Sequence, residues 1–160
     1  MIFFFKMITF SRVFTISLII LFLLDILSFY GIYSNKFYFL KLDNYIFPFL
    51  TIIHFTYLYL VNKRIKERKK ITIKIQGLEY TMYFIFLIYI YKLFETLYVL
   101  LSYNSIYSSL LPKTFLPTGI LILILYLLLI INTFLLFELR RQLLRTVYNK
   151  TTDKDIFNKL

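Results

Sequence analysis

The stretch from Leu78 to Asn104 constrains the fold most, because it is long, apolar and charged in its middle. About 20 predominantly apolar residues suffice to cross a bilayer as a helix. Lys92 and Glu95 lie in its middle third, where a charge costs roughly 2.5–3.5 kcal/mol or more, and such residues usually face the protein interior. The stretch therefore predicts a transmembrane helix with one side turned toward other helices. Helical periodicity assigns to that side Thr81, Ile85, Ile88, Lys92, Glu95, Thr96, Val99 and Ser102.

The composition excludes a soluble domain. The 160 residues are 60% hydrophobic and 21% aromatic, which is more apolar surface than a soluble domain of this size can bury. The net charge of +11 would suggest nucleic acid in a soluble protein, but here the basic residues separate apolar runs, so we expect no nucleic-acid partner. Cysteine is absent, so disulfides and thiolate metal sites are excluded.

Four apolar runs predict an all-α membrane protein, a four-transmembrane-helix antiparallel bundle formed by residues 1–148. The connectors are too short to fold alone. Residues 1–12 are expected to form an interfacial lead-in, and residues 149–160 a polar, frayed tail. Beyond Glu138, a basic amphipathic segment containing Arg140 and Arg141 is expected at the membrane surface. The predicted spans are about 13–32, 45–61, 78–103 and 118–137.

The distribution of basic residues predicts the orientation. Of the 19 Lys and Arg residues, two precede the first span, seven lie between the second and third spans, and six follow the fourth. The opposite side carries only Lys36, Lys41 and Lys113. Short cytoplasmic loops are enriched in Lys and Arg. We therefore expect a multi-pass protein of a bacterial or organellar inner membrane, with both termini on the cytoplasmic or matrix side.

Four ionisable residues fall inside the predicted spans: Asp25, His54, Lys92 and Glu95. At 1.5 Å per residue, all four should lie within roughly 10 Å of one another in depth, so they could form one intramembrane polar cluster. A structural interpretation pairs Lys92 with Asp25 or Glu95 to neutralise buried charge. A functional interpretation is a proton relay or polar ligand site, and a third is contact with a partner subunit.

The connector between the second and third spans is strongly basic. It is expected to anchor the protein on anionic lipid headgroups, at about 1 kcal/mol per basic residue near the surface. The alternative is an acidic partner or a phosphoinositide-like lipid. The residues predicted to make this contact are Lys63, Arg64, Lys66, Arg68, Lys69 and Lys70.

Known catalytic and nucleotide-binding motifs are missing from the sequence. It contains no Gly-x-Gly-x-x-Gly, P-loop or Gly-x-Ser-x-Gly motif, and no zinc-ligand spacing. We therefore expect no enzyme, cofactor or metal site, and predict an accessory, assembly or structural subunit of a membrane complex. The alternatives are a proton- or solute-translocating protein that uses the polar cluster, and an electron-transfer subunit with His54 as one haem ligand.

Overall fold

The computed structural model describes residues 2–67, 73–103 and 111–157. Helices dominate, and four of those described are long and apolar enough to cross a membrane. The span-like segments of these helices are Thr9–Ser28, Leu42–Arg64, Gln76–Leu101 and Phe115–Gln142. The elements in chain order are α1 (Ile2–Ser28), β1 (Tyr30–Gly31), β2 (Lys36–Phe37), a short 3₁₀-helix (Leu42–Tyr45), α2 (Ile46–Glu67), α3 (Ile73–Leu101) and α4 (Phe115–Phe157).

Several helix ends differ from the predicted limits. Residues 2–12 belong to α1 instead of forming a separate lead-in, and α1 ends at Ser28 because the chain then enters a hairpin. The helix α3 begins at Ile73, ahead of the predicted 78, and the backbone of α4 stays helical to Phe157 across much of the predicted tail. The 43 residues of α4 correspond to about 65 Å of helix, roughly twice the hydrocarbon thickness of a bilayer.

The connector between α1 and α2 folds into a small antiparallel hairpin, which sequence periodicity did not predict. Tyr30 pairs with Phe37 and Gly31 with Lys36. The turn contains Asn35 at φ 54°, a left-handed conformation that Asn tolerates well. A Cβ at Gly31 would lie within 3 Å of the Tyr38 ring and of Ser34 Oγ, so the turn requires glycine there.

The contacts among the four long helices close into a ring, with a smaller contact between α2 and α4 across it. α1 contacts α2 and α4, and α3 contacts α2 and α4. The shared core is built from large aliphatic and aromatic side chains, as expected for a chain with no alanine and only three glycines. Its fully buried members include Leu21, Leu24, Leu58, Met82, Ile85, Leu129 and Leu136.

Candidate functional site

Asp25, near the end of α1, is held by the beginning of α2. Thr51 Oγ1 donates a 2.9 Å hydrogen bond to Asp25 Oδ1. One turn later, Ser28 Oγ donates to the Asp25 carbonyl at 2.7 Å and approaches the Asn44 carbonyl at 3.2 Å. The carboxylate is half-buried. Asp25 therefore lies at the α1–α2 interface near the hairpin, and we call this end of the molecule the hairpin end.

His54 occupies the centre of the core. It is fully buried, and a 3.1 Å hydrogen bond joins its Nδ1 to the hydroxyl of Tyr89 on α3. The two rings stack with centroids 5.9 Å apart. Its other ring nitrogen, Nε2, is buried and has no hydrogen-bond partner among the described residues. His54 lines none of the three cavities described below. The interpretation of this residue as a haem ligand of an electron-transfer subunit stays a prediction.

Lys92 and Glu95 pair with each other along α3. Lys92 Nζ donates to Glu95 Oε2 at 2.6 Å, and the side chains are 39% and 46% exposed. Pairing within one helix is a normal use of i, i+3 spacing. The structural interpretation of Lys92 gave two candidate partners, and the structure pairs it with Glu95.

Two cavities border this ion pair at the hairpin end. Their volumes are about 220 Å³ and 420 Å³, and both are lined by Ser28, Lys92, Glu95 and Tyr126. The larger one also reaches Asn44 and the exposed Lys41–Asp43 ion pair beside the 3₁₀-helix. The Lys92–Glu95 pair therefore lines two spaces that residues of the α1–α2 connector also border.

The four residues predicted to form one cluster are thus divided between three separate pairs. Asp25 binds Thr51, His54 binds Tyr89, and Lys92 binds Glu95. The connection between them comes from residues that the sequence did not single out. The rings of Tyr89 and Tyr126 both pack on Phe47, at centroid distances of 5.9 Å and 5.8 Å.

One of these two tyrosines also shares a space with an acidic group. Tyr126 lines both hairpin-end cavities together with Glu95. Tyrosine is among the commonest residues of this chain. Periodicity alone could not show which tyrosines enter the core.

The buried face of α3 is rotated about the helix axis relative to the predicted one. Ile85 is buried as expected, but the buried line continues through Met82 and Tyr89, and Thr81 and Ser102 are exposed. The rotation follows from the core position of the Tyr89 ring, which reaches across to His54.

Another ion pair lies at the end of the helices away from the hairpin, and it corrects the assignment of Arg140 to the membrane surface. Arg140 Nη1 of α4 pairs with Glu79 Oε1 of α3, and their side chains are only 8% and 18% exposed. The pair borders a cavity of about 570 Å³ that Tyr83 and Arg141 also line. Glu79 begins the predicted third span and Arg140 follows the predicted fourth, so the two residues are expected at a similar depth in the membrane. A comparison of these depths could have suggested the pair.

The basic connector is described only in part. Lys63 and Lys66 are exposed and Arg64 is partly exposed at the end of α2, while Arg68, Lys69 and Lys70 lie outside the described residues. We call this end of the molecule the basic end. Within the described ranges, no group of three or more His, Cys, Asp or Glu side chains could hold a metal ion.

No protein-family model, curated protein or solved structure matches this chain.

Proposed function

We propose that this chain crosses a membrane four times as an antiparallel bundle, with both termini on the cytoplasmic or matrix side. Contacts between opposite helix ends support the arrangement. Ser28, at the end of α1, meets Asn44 just before α2, and Glu79, early in α3, meets Arg140 late in α4. The excess of basic residues at the basic end supports the orientation.

Within that membrane, we propose a non-enzymatic role as an accessory subunit that binds a partner through α3. Only 11% of the most apolar segment of α3 is buried, against 33% to 39% for the other three spans. Apart from Tyr83, the exposed large hydrophobic residues described on α3 follow alternating steps of four and three, the spacing of a left-handed helix pair. We call this surface the α3 stripe, and its members are Tyr80, Phe84, Leu87, Tyr91, Phe94, Tyr98 and Leu101.

Tyr91 is the observation that carries this proposal. Its side chain is 64% exposed on the stripe, and it lies about 4 Å from the midpoint of the span Gln76–Leu101. Tyrosine normally favours the membrane interface, because a hydroxyl in the hydrocarbon core has no water with which to bond. An acceptor on a neighbouring transmembrane helix would satisfy the Tyr91 hydroxyl at this depth.

The chemistry of the stripe favours a different protein over a second copy of this chain. Bulky aromatic residues pack most closely against helices with small side chains such as Gly, Ala or Ser. This chain has no alanine, and its glycines are Gly31 in the hairpin, Gly77 near the start of α3 and Gly119, which is buried against Leu100. The proposed partner is therefore another membrane protein that presents a small-residue face of one transmembrane helix.

Site-specific photo-crosslinking in native membranes tests this role. A photoreactive residue at Phe84, Tyr91 or Tyr98 should give one and the same discrete adduct. The matched control positions, Phe22 of α1 and Phe49 of α2, are similarly exposed and should give none. Mass spectrometry should map the adduct to one transmembrane helix with small residues, and the purified partner should re-form the complex.

Tyr91→Phe should weaken that reconstituted complex several-fold while leaving the bundle folded. Adducts with lipid alone at all five positions would refute the accessory role. Adducts between two copies of this chain would replace it with a homo-oligomer.

A further inference from the structure

Two ion pairs line the larger hairpin-end cavity. Its volume is about 420 Å³, which lies within the roughly 300–1,000 Å³ of small-molecule sites. Its lining includes the Lys92–Glu95 pair of α3 and the Lys41–Asp43 pair beside the 3₁₀-helix. The described lining of the smaller cavity contains only the first of these pairs. Two positive and two negative side chains therefore border a single space.

The depth of the Lys92–Glu95 pair makes its exposure unusual. Lys92 lies about 5 Å and Glu95 about 10 Å from the midpoint of the span Gln76–Leu101, toward the hairpin end. The hydrocarbon of a bilayer extends about 15 Å from its midplane, so under the proposed membrane crossing both charges lie within it. Their side chains are nevertheless 39% and 46% exposed. Charges at this depth normally face the bundle interior or a polar cavity, which indicates a polar occupant.

Both ion pairs keep hydrogen-bonding capacity for such an occupant. The Lys92 ammonium has three donors, and its bond to Glu95 Oε2 uses one of them. The Glu95 carboxylate has two oxygens and can accept further bonds. Lys41 Nζ and Asp43 Oδ2 are 3.7 Å apart, on side chains 61% and 75% exposed. An exposed pair of this kind is held weakly, so a ligand can engage both of its charges.

The cavity lining becomes apolar with increasing depth. Ile46 and Leu50 line it from the first two turns of α2, and Ile88 lines it one turn before Lys92 on α3. Because α2 begins and α3 ends at the hairpin end, Leu50 and Ile88 lie deeper than the charged side chains. Ile46 is 56% exposed, so this wall borders the lipid under the proposed membrane crossing. Charges above an apolar wall match an amphiphile.

We propose that the larger hairpin-end cavity binds a phosphoethanolamine group, carried by a membrane lipid such as phosphatidylethanolamine. The phosphate binds between Lys92 and Lys41, and the primary ammonium donates hydrogen bonds to Glu95 and Asp43. One zwitterion thereby engages both ion pairs and adds no net charge within the membrane. The apolar wall contacts the glycerol and the first acyl carbons. These residues lie outside the α3 stripe, so lipid binding and partner binding use different faces of α3.

The primary ammonium is the basis of selectivity. It has N–H donors for carboxylates, as a lysine ammonium does, whereas the trimethylammonium of phosphatidylcholine has none and is recognised by aromatic cages. The aromatic side chains of the described lining are only Phe47 and Tyr126, and both are buried. Phosphatidylethanolamine should therefore bind about tenfold more tightly than phosphatidylcholine, which corresponds to one hydrogen bond between charged groups.

Native mass spectrometry of the purified full-length chain tests this site. The protein in nonionic detergent is incubated with equimolar phosphatidylethanolamine and phosphatidylcholine of identical acyl chains. The parent should retain one phosphatidylethanolamine per chain in clear excess over phosphatidylcholine. Asp43→Asn, in the exposed connector, should lower that retention several-fold. Lys92→Gln/Glu95→Gln removes both deep charges together, so no lone charge is left in the membrane, and it should abolish the preference.

Glu138→Gln is the matched control, because it makes the same carboxylate-to-amide change at an exposed position of the basic end. Its lipid retention should equal that of the parent. Should the double variant fail to elute as folded protein, Asp43→Asn decides alone. Equal retention of the two lipids by the parent, or an unchanged preference in the variants, would overturn the site.

Free phosphoethanolamine distinguishes the lipid from a water-soluble source of the same group. We expect it to displace the bound lipid only at a large excess, because it makes no contact with the apolar wall. Displacement at concentrations equal to those of the lipid would refute the lipid as the ligand and assign the site to the soluble zwitterion. The assay uses one purified chain, so its result does not depend on whether the α3 stripe binds a partner.

Discussion

The side-chain amide of Asn132 donates a 2.6 Å hydrogen bond to Ser17 Oγ, which joins α4 to α1 inside the core. The same amide also donates to the Val13 carbonyl at 3.0 Å. Asn132 and Ser17 are both buried. This contact fixes the register of the two helices that pack most extensively against each other, and so it positions Leu24 and Tyr126, which both line the smaller hairpin-end cavity.

Asn132→Leu should destabilise the protein by about 1 kcal/mol, since a hydrogen bond between membrane helices contributes about 0.6 kcal/mol on average and at most about 1.7. Unfolding by SDS in mixed micelles measures the change. Thr56→Val is the control, because the Thr56 hydroxyl bonds only to the Ile52 carbonyl of its own helix and should matter little. A variant as stable as the parent would show that Asn132 does not tie α1 to α4.

Breaking the Glu79–Arg140 pair should lower the free energy of unfolding by more than Asn132→Leu does. Glu79→Gln leaves the buried guanidinium of Arg140 without its carboxylate, and removal of one partner from a buried pair typically costs about 3–5 kcal/mol. The double variant Glu79→Gln/Arg140→Leu removes the charge as well and should recover most of that loss. The same SDS titration measures both.

The control for this pair is Glu138→Gln. Glu138 is exposed and accepts a hydrogen bond from Gln142 along α4, so the stability of that variant should stay within about 0.5 kcal/mol of the parent. Equal losses in the single and double variants would mean that the two side chains do not depend on each other.

The four apolar helices could be predicted because the hydropathy of a segment depends only on its own residues. A run such as 118–137 contains almost no polar side chain, and so the existence of α4 follows from its own residues. The hairpin at Tyr30–Phe37 was missed because each of its strands has only two residues. Such strands are too short to show an alternating pattern.

The sequence predicted which residues of the candidate site are ionisable, but it did not predict most of their partners. The partners depend on how the helices are rotated and shifted relative to one another. The sequence marks Asp25, His54, Lys92 and Glu95 as expensive in lipid, but partners depend on rotation and depth between helices. Only the Lys92–Glu95 pair is local to one helix, and it was the one that spacing could suggest. The contact of Tyr89 with His54 joins residues far apart in the chain, so sequence spacing carried no signal for it.

The proposed orientation predicts opposite accessibility for the two ends. Since the chain has no cysteine, single-cysteine variants need no background substitutions. Lys36 and Lys66 are both exposed, at the hairpin end and the basic end respectively. In intact cells, a membrane-impermeant maleimide should label Lys36→Cys, whereas Lys66→Cys should be labelled only after permeabilisation. Labelling of both variants in intact cells, or the reverse pattern, would refute the proposed topology.

The basic end should bind anionic lipid selectively. Lys63 and Lys66 are exposed at the end of α2, and each basic residue near an anionic surface contributes about 1 kcal/mol. Phosphatidylglycerol should therefore raise the melting temperature of the detergent-solubilised protein more than phosphatidylcholine does. Lys63→Gln/Lys66→Gln should remove a large part of that difference, and added salt should weaken it because it screens exposed charges.

The matched control for lipid binding is Lys36→Gln/Lys41→Gln, which removes two exposed lysines from the hairpin end. Because that end carries only three basic residues, its neutralisation should leave the phosphatidylglycerol effect unchanged. Equal losses in the two double variants would mean that the lipid responds to total charge. The location of the basic residues at the end of α2 would then have no special role in headgroup binding.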